Sequence, residues 1–239
     1  MNIIQKLLLA TFLPLTVLFL VLDNLSPEAA YVNYIKFLSI ISLCLTALLI
    51  NKKYPEQKLL AAAMFFVMIG DFFLVFCSTY FDSGKFMPFG ILGFTAAYLF
   101  VIAAVQKNFK ISSFEAAAAL PVLAITVPAV IILFPFINGI MRYGLIIFIA
   151  ILCYCSWICI GTVFRGYFTT KNSRLIALAG FLMLICDLGV GMATFHPYFS
   201  SSFVPWLKNI IWGAYVPAWT IIVVTIAEKN LINSSKINS

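Results

Sequence analysis

Charged side chains are scarce in this chain: of 239 residues only 23 are charged, 15 basic and 8 acidic. A soluble fold commits roughly a quarter of its residues to charge in order to cover its surface. With 64% apolar residues and a mean hydropathy of +1.09, water is excluded as the main solvent. The net charge of +7 is scattered over short connecting segments and never gathers into a basic helix or patch, which excludes nucleic-acid binding. Histidine occurs once, as His196, and there is no glycine-rich phosphate loop and no G-x-S-x-G elbow. A conventional serine hydrolase is therefore not expected, and neither is a metal or other cofactor, since no His/Cys cluster has ligand spacing. The six cysteines (Cys44, Cys77, Cys153, Cys155, Cys159 and Cys186) all fall inside apolar runs. They read as small packing residues and not as a disulfide scaffold or redox relay.

What is present is apolar length. A bilayer core about 30 Å thick takes about 20 helical residues. Eight runs of that size appear, at about 6–22, 33–50, 58–79, 86–106, 114–135, 143–164, 174–195 and 204–227. Segments of about ten alternating residues, which would indicate a transmembrane barrel, are missing. The expected fold is all-α: a polytopic membrane bundle of eight helices forming a single transmembrane domain over 1–239, with a short polar tail at 228–239. The first run resembles a signal peptide in its charged start, but it is long and lacks a small-x-small site immediately after it, so it reads as a membrane anchor.

Cytoplasmic loops hold the excess of Lys and Arg. Lys6, Lys52, Lys53, Lys58, Lys107, Lys110, Arg165, Lys171, Arg174, Lys229 and Lys236 fall on one side of the eight-span arrangement, eleven residues against Lys36, Lys85, Arg142 and Lys208 on the other. Both termini are thus expected in the cytoplasm, with the protein in the cytoplasmic membrane of a bacterium. An odd number of spans would destroy this split. The loops are too short to hold a separate domain, so any chemistry must lie among the helices.

Sliding the chain on itself by 116 positions lays Lys58-LLAAAMFFVMIG-Asp71 over Arg174-LIALAGFLMLIC-Asp187, with identities that include Ala61/Ala177, Phe65/Phe181 and Ile69/Ile185. With one more residue of offset, Pro88 aligns with Pro205, and Ala97-Tyr98 with Ala214-Tyr215. A parallel duplication of four helices plus four is the expected origin. Asp71 and Asp187 each lie thirteen residues beyond a basic anchor, roughly 20 Å of helix, which puts them at one depth. Tyr98 and Tyr215 fall within about two helical turns of that depth.

An ionisable residue at such depth costs roughly 2.5–3.5 kcal/mol on insertion scales, so a pair requires compensation. Two carboxyls on one cavity can share a proton, and they then form a general acid with its conjugate base. In the competing readings each Asp is a hydrogen-bonding link between helices, capping backbone groups or accepting from Tyr98 or Tyr215, or the two acids mark a cation or proton path. Glu115, Lys36 and Lys208 read as interfacial, and His196 as a loop residue. Arg142, Lys208, Trp206, Trp212 and Tyr143 could surround an outer opening and receive a phosphate, although an aromatic belt has the same composition. Pro121, Pro128 and Pro217 suggest kinks.

Ile69-Gly70-Asp71 in the third helix, Gly90 to Phe94 in the fourth, Gly180-Phe181 with Asp187 in the seventh and Tyr215 in the eighth resemble the YhhN-like, or lysoplasmalogenase, family of integral membrane proteins. The resemblance implies hydrolysis of the vinyl-ether bond of a lysoplasmalogen drawn from the bilayer, giving a fatty aldehyde and a glycerophospho-alcohol. Asp71 and Asp187 fall where that family carries its acids, and Tyr215 on its eighth-helix tyrosine. Two departures stand out: the family's fourth helix typically has a His four residues after its Phe, where this chain has Tyr98, and its eighth has a Gln four residues after its Tyr, where this chain has Trp219. They leave room for a changed substrate or a catalytically silent relative, and a small-solute or proton-coupled carrier is the alternative from another class.

Overall fold

The computed structural model describes residues 1–27, 29–81, 84–200 and 204–233. Within them lie eight helices long and apolar enough to cross a membrane, and the protein is an integral, multi-pass membrane protein. They are α1 (Ile3–Leu25), α2 (Ala30–Leu49), α3 (Pro55–Phe81), α4 (Met87–Val105), α5 (Ser113–Leu133), α6 (Ile140–Arg165), α7 (Thr170–Phe195) and α8 (Pro205–Ile226). Each falls within a few residues of the span expected from composition. A four-residue helical turn, Pro197–Ser200, lies in the connection between α7 and α8.

Local chemistry sets the helix ends. The Asn2 side chain accepts from the Gln5 amide while the Gln5 side chain accepts from the Asn2 amide, a reciprocal cap that starts α1. Pro55 and Pro205 open α3 and α8, where the missing N–H would have had no helical partner. Gly166, in the left-handed conformation at φ 63°, ends α6. Pro121, Pro128 and Pro217 are carried inside α5 and α8.

The last helix is the core of the bundle. In its most apolar stretch 72% of α8 is buried, against 28% in α1 and α5, which lie at the periphery. An all-round apolar helix belongs inside other helices, and α8 packs against α7, α1, α3 and α2. α3 pairs closely with α4, and α7 with α8. The first helix of each half departs from the repeat: α1 lies mainly along α8, whereas α5 lies against α6 and α7.

The start of α1 and the end of α8 lie at one end of the bundle, where Asn2 Nδ2 donates to the Ala227 carbonyl at 2.6 Å and Gln5 Nε2 to that of Val224 at 3.1 Å. Polar side chains close this end. Gln57 donates to the carbonyls of Ile226 and Glu228, Asn172 to those of Asn230 and Leu231, and Tyr167 to the Glu56 carboxylate. Burial first, and then that carboxylate, raise the Tyr167 hydroxyl well above its ordinary value. The chain after α8 is pinned here, with Leu231 fully buried and Ile232 bridged to Phe168, so residues 228–233 are a packed strap and not a loose polar tail. Residues 234–239, with Lys236, lie outside the described residues.

Two residues expected at the membrane interface are instead paired inside the protein. Glu115 is 3% exposed and receives a two-point contact from the Arg165 guanidinium, which also donates to the Val105 carbonyl. Lys36 is 2% exposed, with its ammonium 2.6 Å from both oxygens of Asp23. A long side chain reaches water only when its helix face allows it; these faces point inward, so a group of opposite charge takes the place of solvent.

Candidate active site: two carboxyls on one cavity

Close backbone approach fixes the third helix against the fourth. A Cβ on Gly93 would lie 2.8 Å from the Gly70 Cα, so only glycine lets the two backbones meet at this level. Asp71 follows immediately and is 3% exposed. Directly after it α3 widens into a π-helical stretch, Phe72–Cys77, before returning to α-helix at Ser78. Such insertions re-aim the residues beside them and recur at functional sites.

A cavity of about 780 Å³ occupies the half of the bundle away from the termini. Asp71 and Asp187 both line it, as do Trp212, Tyr215 and Lys208. It extends from the level of the two acids to the helix ends, where it reaches exposed Ala30 and Gly84. Leu74, Ile91, Phe94, Phe148 and Leu152 make much of its wall apolar.

Each carboxyl is held by a tyrosine of the other half. Tyr215 Oη of α8 donates to Asp71 Oδ2 of α3 at 2.6 Å, and Tyr98 Oη of α4 donates to Asp187 Oδ2 of α7, also at 2.6 Å. The two pairs exchange under the repeat that aligns Asp71 with Asp187 and Tyr98 with Tyr215. One oxygen of each carboxyl is thereby fixed at a phenol, in a cavity that both acids share.

The other expected site residues separate. Tyr98 is fully buried behind Asp187 and does not line the cavity, and its ring stacks on Trp219 with centroids 6.2 Å apart. The two positions that depart from the resembled family thus stack on each other. Arg142 is absent from the cavity wall; its Nε donates to the Ile137 carbonyl at 2.8 Å and its guanidinium lies over Phe134, so it secures the end of α5. Trp206 and Tyr143 are 54% and 69% exposed and form no part of the wall, which fits an aromatic belt. His196 packs its ring between Phe136 and Phe199 in the connection after α7.

The sequence reading missed Asp23 and Lys36, which line the outer part of the same cavity. The signal was available: a lysine seven residues into an apolar helix requires an acidic partner, and Asp23 ends the preceding helix. Among the described residues no group of three or more His, Cys, Asp or Glu side chains could hold a metal ion.

An eight-helix membrane bundle with paired acids on one cavity defines the class of protein. Its residues 32–226 match the YhhN family model, and the chain belongs to the YhhN family. No curated protein and no solved structure matches it significantly.

Proposed function

We propose that this chain is an intramembrane hydrolase that cleaves the vinyl-ether bond of lysoplasmalogen-like lipids, with Asp71 and Asp187 as its acid and base. The observation that carries this reading is the pair of carboxyls on one cavity, each with one oxygen fixed by a tyrosine of the opposite half. A vinyl ether is cleaved by protonation of its outer alkene carbon. The protonated carboxyl gives its proton to that carbon, the ether oxygen supplies electrons, and an oxocarbenium ion forms beside the ionised carboxyl, which stabilises it. That carboxylate takes a proton from water as the water oxygen adds to the cationic carbon. The resulting hemiacetal expels the glycerol oxygen, which leaves with a proton, and an aldehyde remains. Tyr98 and Tyr215 position the acids, and Trp212 forms part of the substrate wall.

A carrier needs a route to both faces, whereas here the cavity lies in one half and the end with the termini is closed by the Gln5, Gln57 and Asn172 bonds and the strap at 228–233. A carrier would have to break these bonds to open that end, whereas hydrolysis needs the open end alone. The eleven-to-four charge split supports a closed end that faces the cytoplasm, with the cavity toward the outer leaflet of a bacterial inner membrane. The test is fatty-aldehyde release from a choline or ethanolamine lysoplasmalogen by protein purified in mild detergent, where no gradient exists. Turnover in detergent is expected; solute movement in sealed vesicles without aldehyde release would replace the hydrolase with a carrier.

A further inference from the structure

We propose that Lys36 and Lys208 form an anion subsite at the outer part of the cavity that receives the phosphate diester of a single-chain glycerophospholipid. This deepens the hydrolase reading and rests on it for the depth at which the lipid is held. Lys36 is a buried cation on the cavity wall. Its ammonium has three N–H donors; Asp23 occupies two, at 2.6 Å each, and the Trp212 ring lies 4.2 Å away. Asp23 neutralises Lys36, but among the described residues Lys208 forms no ion pair, which leaves the outer part of the cavity, a few turns from the Asp71 and Asp187 carboxyls, with one excess positive charge. A diester carries one negative charge, and two ammonium groups can share its oxygens.

The register along α8 sets the ligand's length. Lys208, Ile211, Trp212 and Tyr215 all line the cavity and are spaced three, four and seven residues from the first, so they form one stripe down the helix. From Lys208 to Tyr215, which holds Asp71, is about 10 Å of helix rise. In a glycerophospholipid about five covalent bonds, roughly 6 Å extended, separate phosphorus from the ether oxygen of the first glycerol carbon, and the adjoining alkene carbons lie about 2 Å further. A phosphate at the lysines therefore sets the ether at the level of the acids. The cavity's 780 Å³ lies within the roughly 300–1,000 Å³ of pockets that hold one small molecule, which favours one chain over two.

The test is calorimetric binding in nonionic detergent of 1-O-hexadecyl-glycerophosphoethanolamine, a saturated ether without a vinyl bond, against 1-O-hexadecylglycerol, which lacks the phosphate. The parent should bind the phospholipid about tenfold or more tightly. Lys208→Gln should remove most of that preference while leaving the alkylglycerol within about twofold. The double variant Asp23→Leu with Lys36→Met, which removes both buried charges together and so strands neither, should do the same. Equal affinity of the parent for both ligands, or a preference that survives both variants, would overturn the subsite. Glycerophosphoethanolamine that competes at the concentration of the lipid would also overturn it, by making the ligand a soluble phosphate ester. Binding needs no cleavage, so phosphate preference without aldehyde release would sink the hydrolase reading alone, and aldehyde release without preference the subsite alone.

Discussion

Removing one phenolic hydroxyl at a time measures what the exchanged Asp–Tyr pairs contribute. In Tyr98→Phe the ring stays in place, because it is fully buried and stacked on Trp219 with Phe148 5.9 Å away; only the 2.6 Å bond to Asp187 is lost. A hydrogen bond to a charged group contributes about 1.5–3 kcal/mol, which corresponds to a loss of roughly 10–150-fold if it acts in the transition state. Because Tyr98 does not line the cavity, that loss should fall on kcat and leave KM within about twofold. Tyr215 both holds Asp71 and forms part of the wall, so Tyr215→Phe should lower kcat by a similar factor and also move KM. Steady-state aldehyde release by both variants, each shown to be folded by its unfolding transition, gives the comparison. A Tyr98→Phe variant with unchanged kcat, or with a raised KM at full kcat, would refute the argument that this tyrosine acts by fixing a carboxyl.

Three further outcomes concern stability. Glu115→Ala strands the buried Arg165 guanidinium and should cost about 3–5 kcal/mol, read as a large drop in Tm in detergent, while Glu115→Leu with Arg165→Met should recover most of it; equal losses would show that the pair's charges are not the cause. Gly93→Ala forces a methyl group against the Gly70 backbone and should cost about 1–3 kcal/mol; an unchanged Tm would mean that α3 and α4 separate freely. For Glu228, burial raises the carboxyl, but the bonds from Lys171 and Gln5 outweigh it and hold the group below its ordinary value. Its contribution is therefore present above the unfolded value of about 4.3 and disappears as pH falls through the folded value. Glu228→Gln should lower Tm at pH 6 and converge with the parent once the pH has fallen below the folded value; a difference independent of pH would contradict this.

The eight spans were legible because each combines bilayer length with polar punctuation, and the α-helical class follows from the need to satisfy every backbone bond within the segment. Asp71 and Asp187 were legible as a pair because the repeat and the basic anchors fixed their depth. What depth could not supply was rotation about the helix axis. It therefore left open whether the acids meet at one cavity, and it gave no warning that Tyr98 would bond across to α7 and Tyr215 across to α3. Rotation also explains the misreadings. Lys36 and Glu115 sit near helix ends, where long side chains often reach the interface, but their faces turn inward onto Asp23 and Arg165. Arg142 has the charge for a phosphate site, yet from the first turn of α6 it reaches back to the segment after α5, where free carbonyls recruit it. The strap at 228–233 was hidden by its polar composition, since only Leu231 and Ile232 carry its burial.

The most direct test of the paired-acid mechanism is a cycle of Asp71→Asn, Asp187→Asn and the double variant, followed by aldehyde release from a lysoplasmalogen in detergent. Asn keeps the size and most hydrogen bonds of Asp but can neither give nor take the proton. If the carboxyls work as one acid–base unit, each single variant should lose about 10²–10⁴-fold in kcat, and the double variant should be little worse than either. Folded single variants that retain the parent's rate would contradict the account and leave the two acids as links between helices.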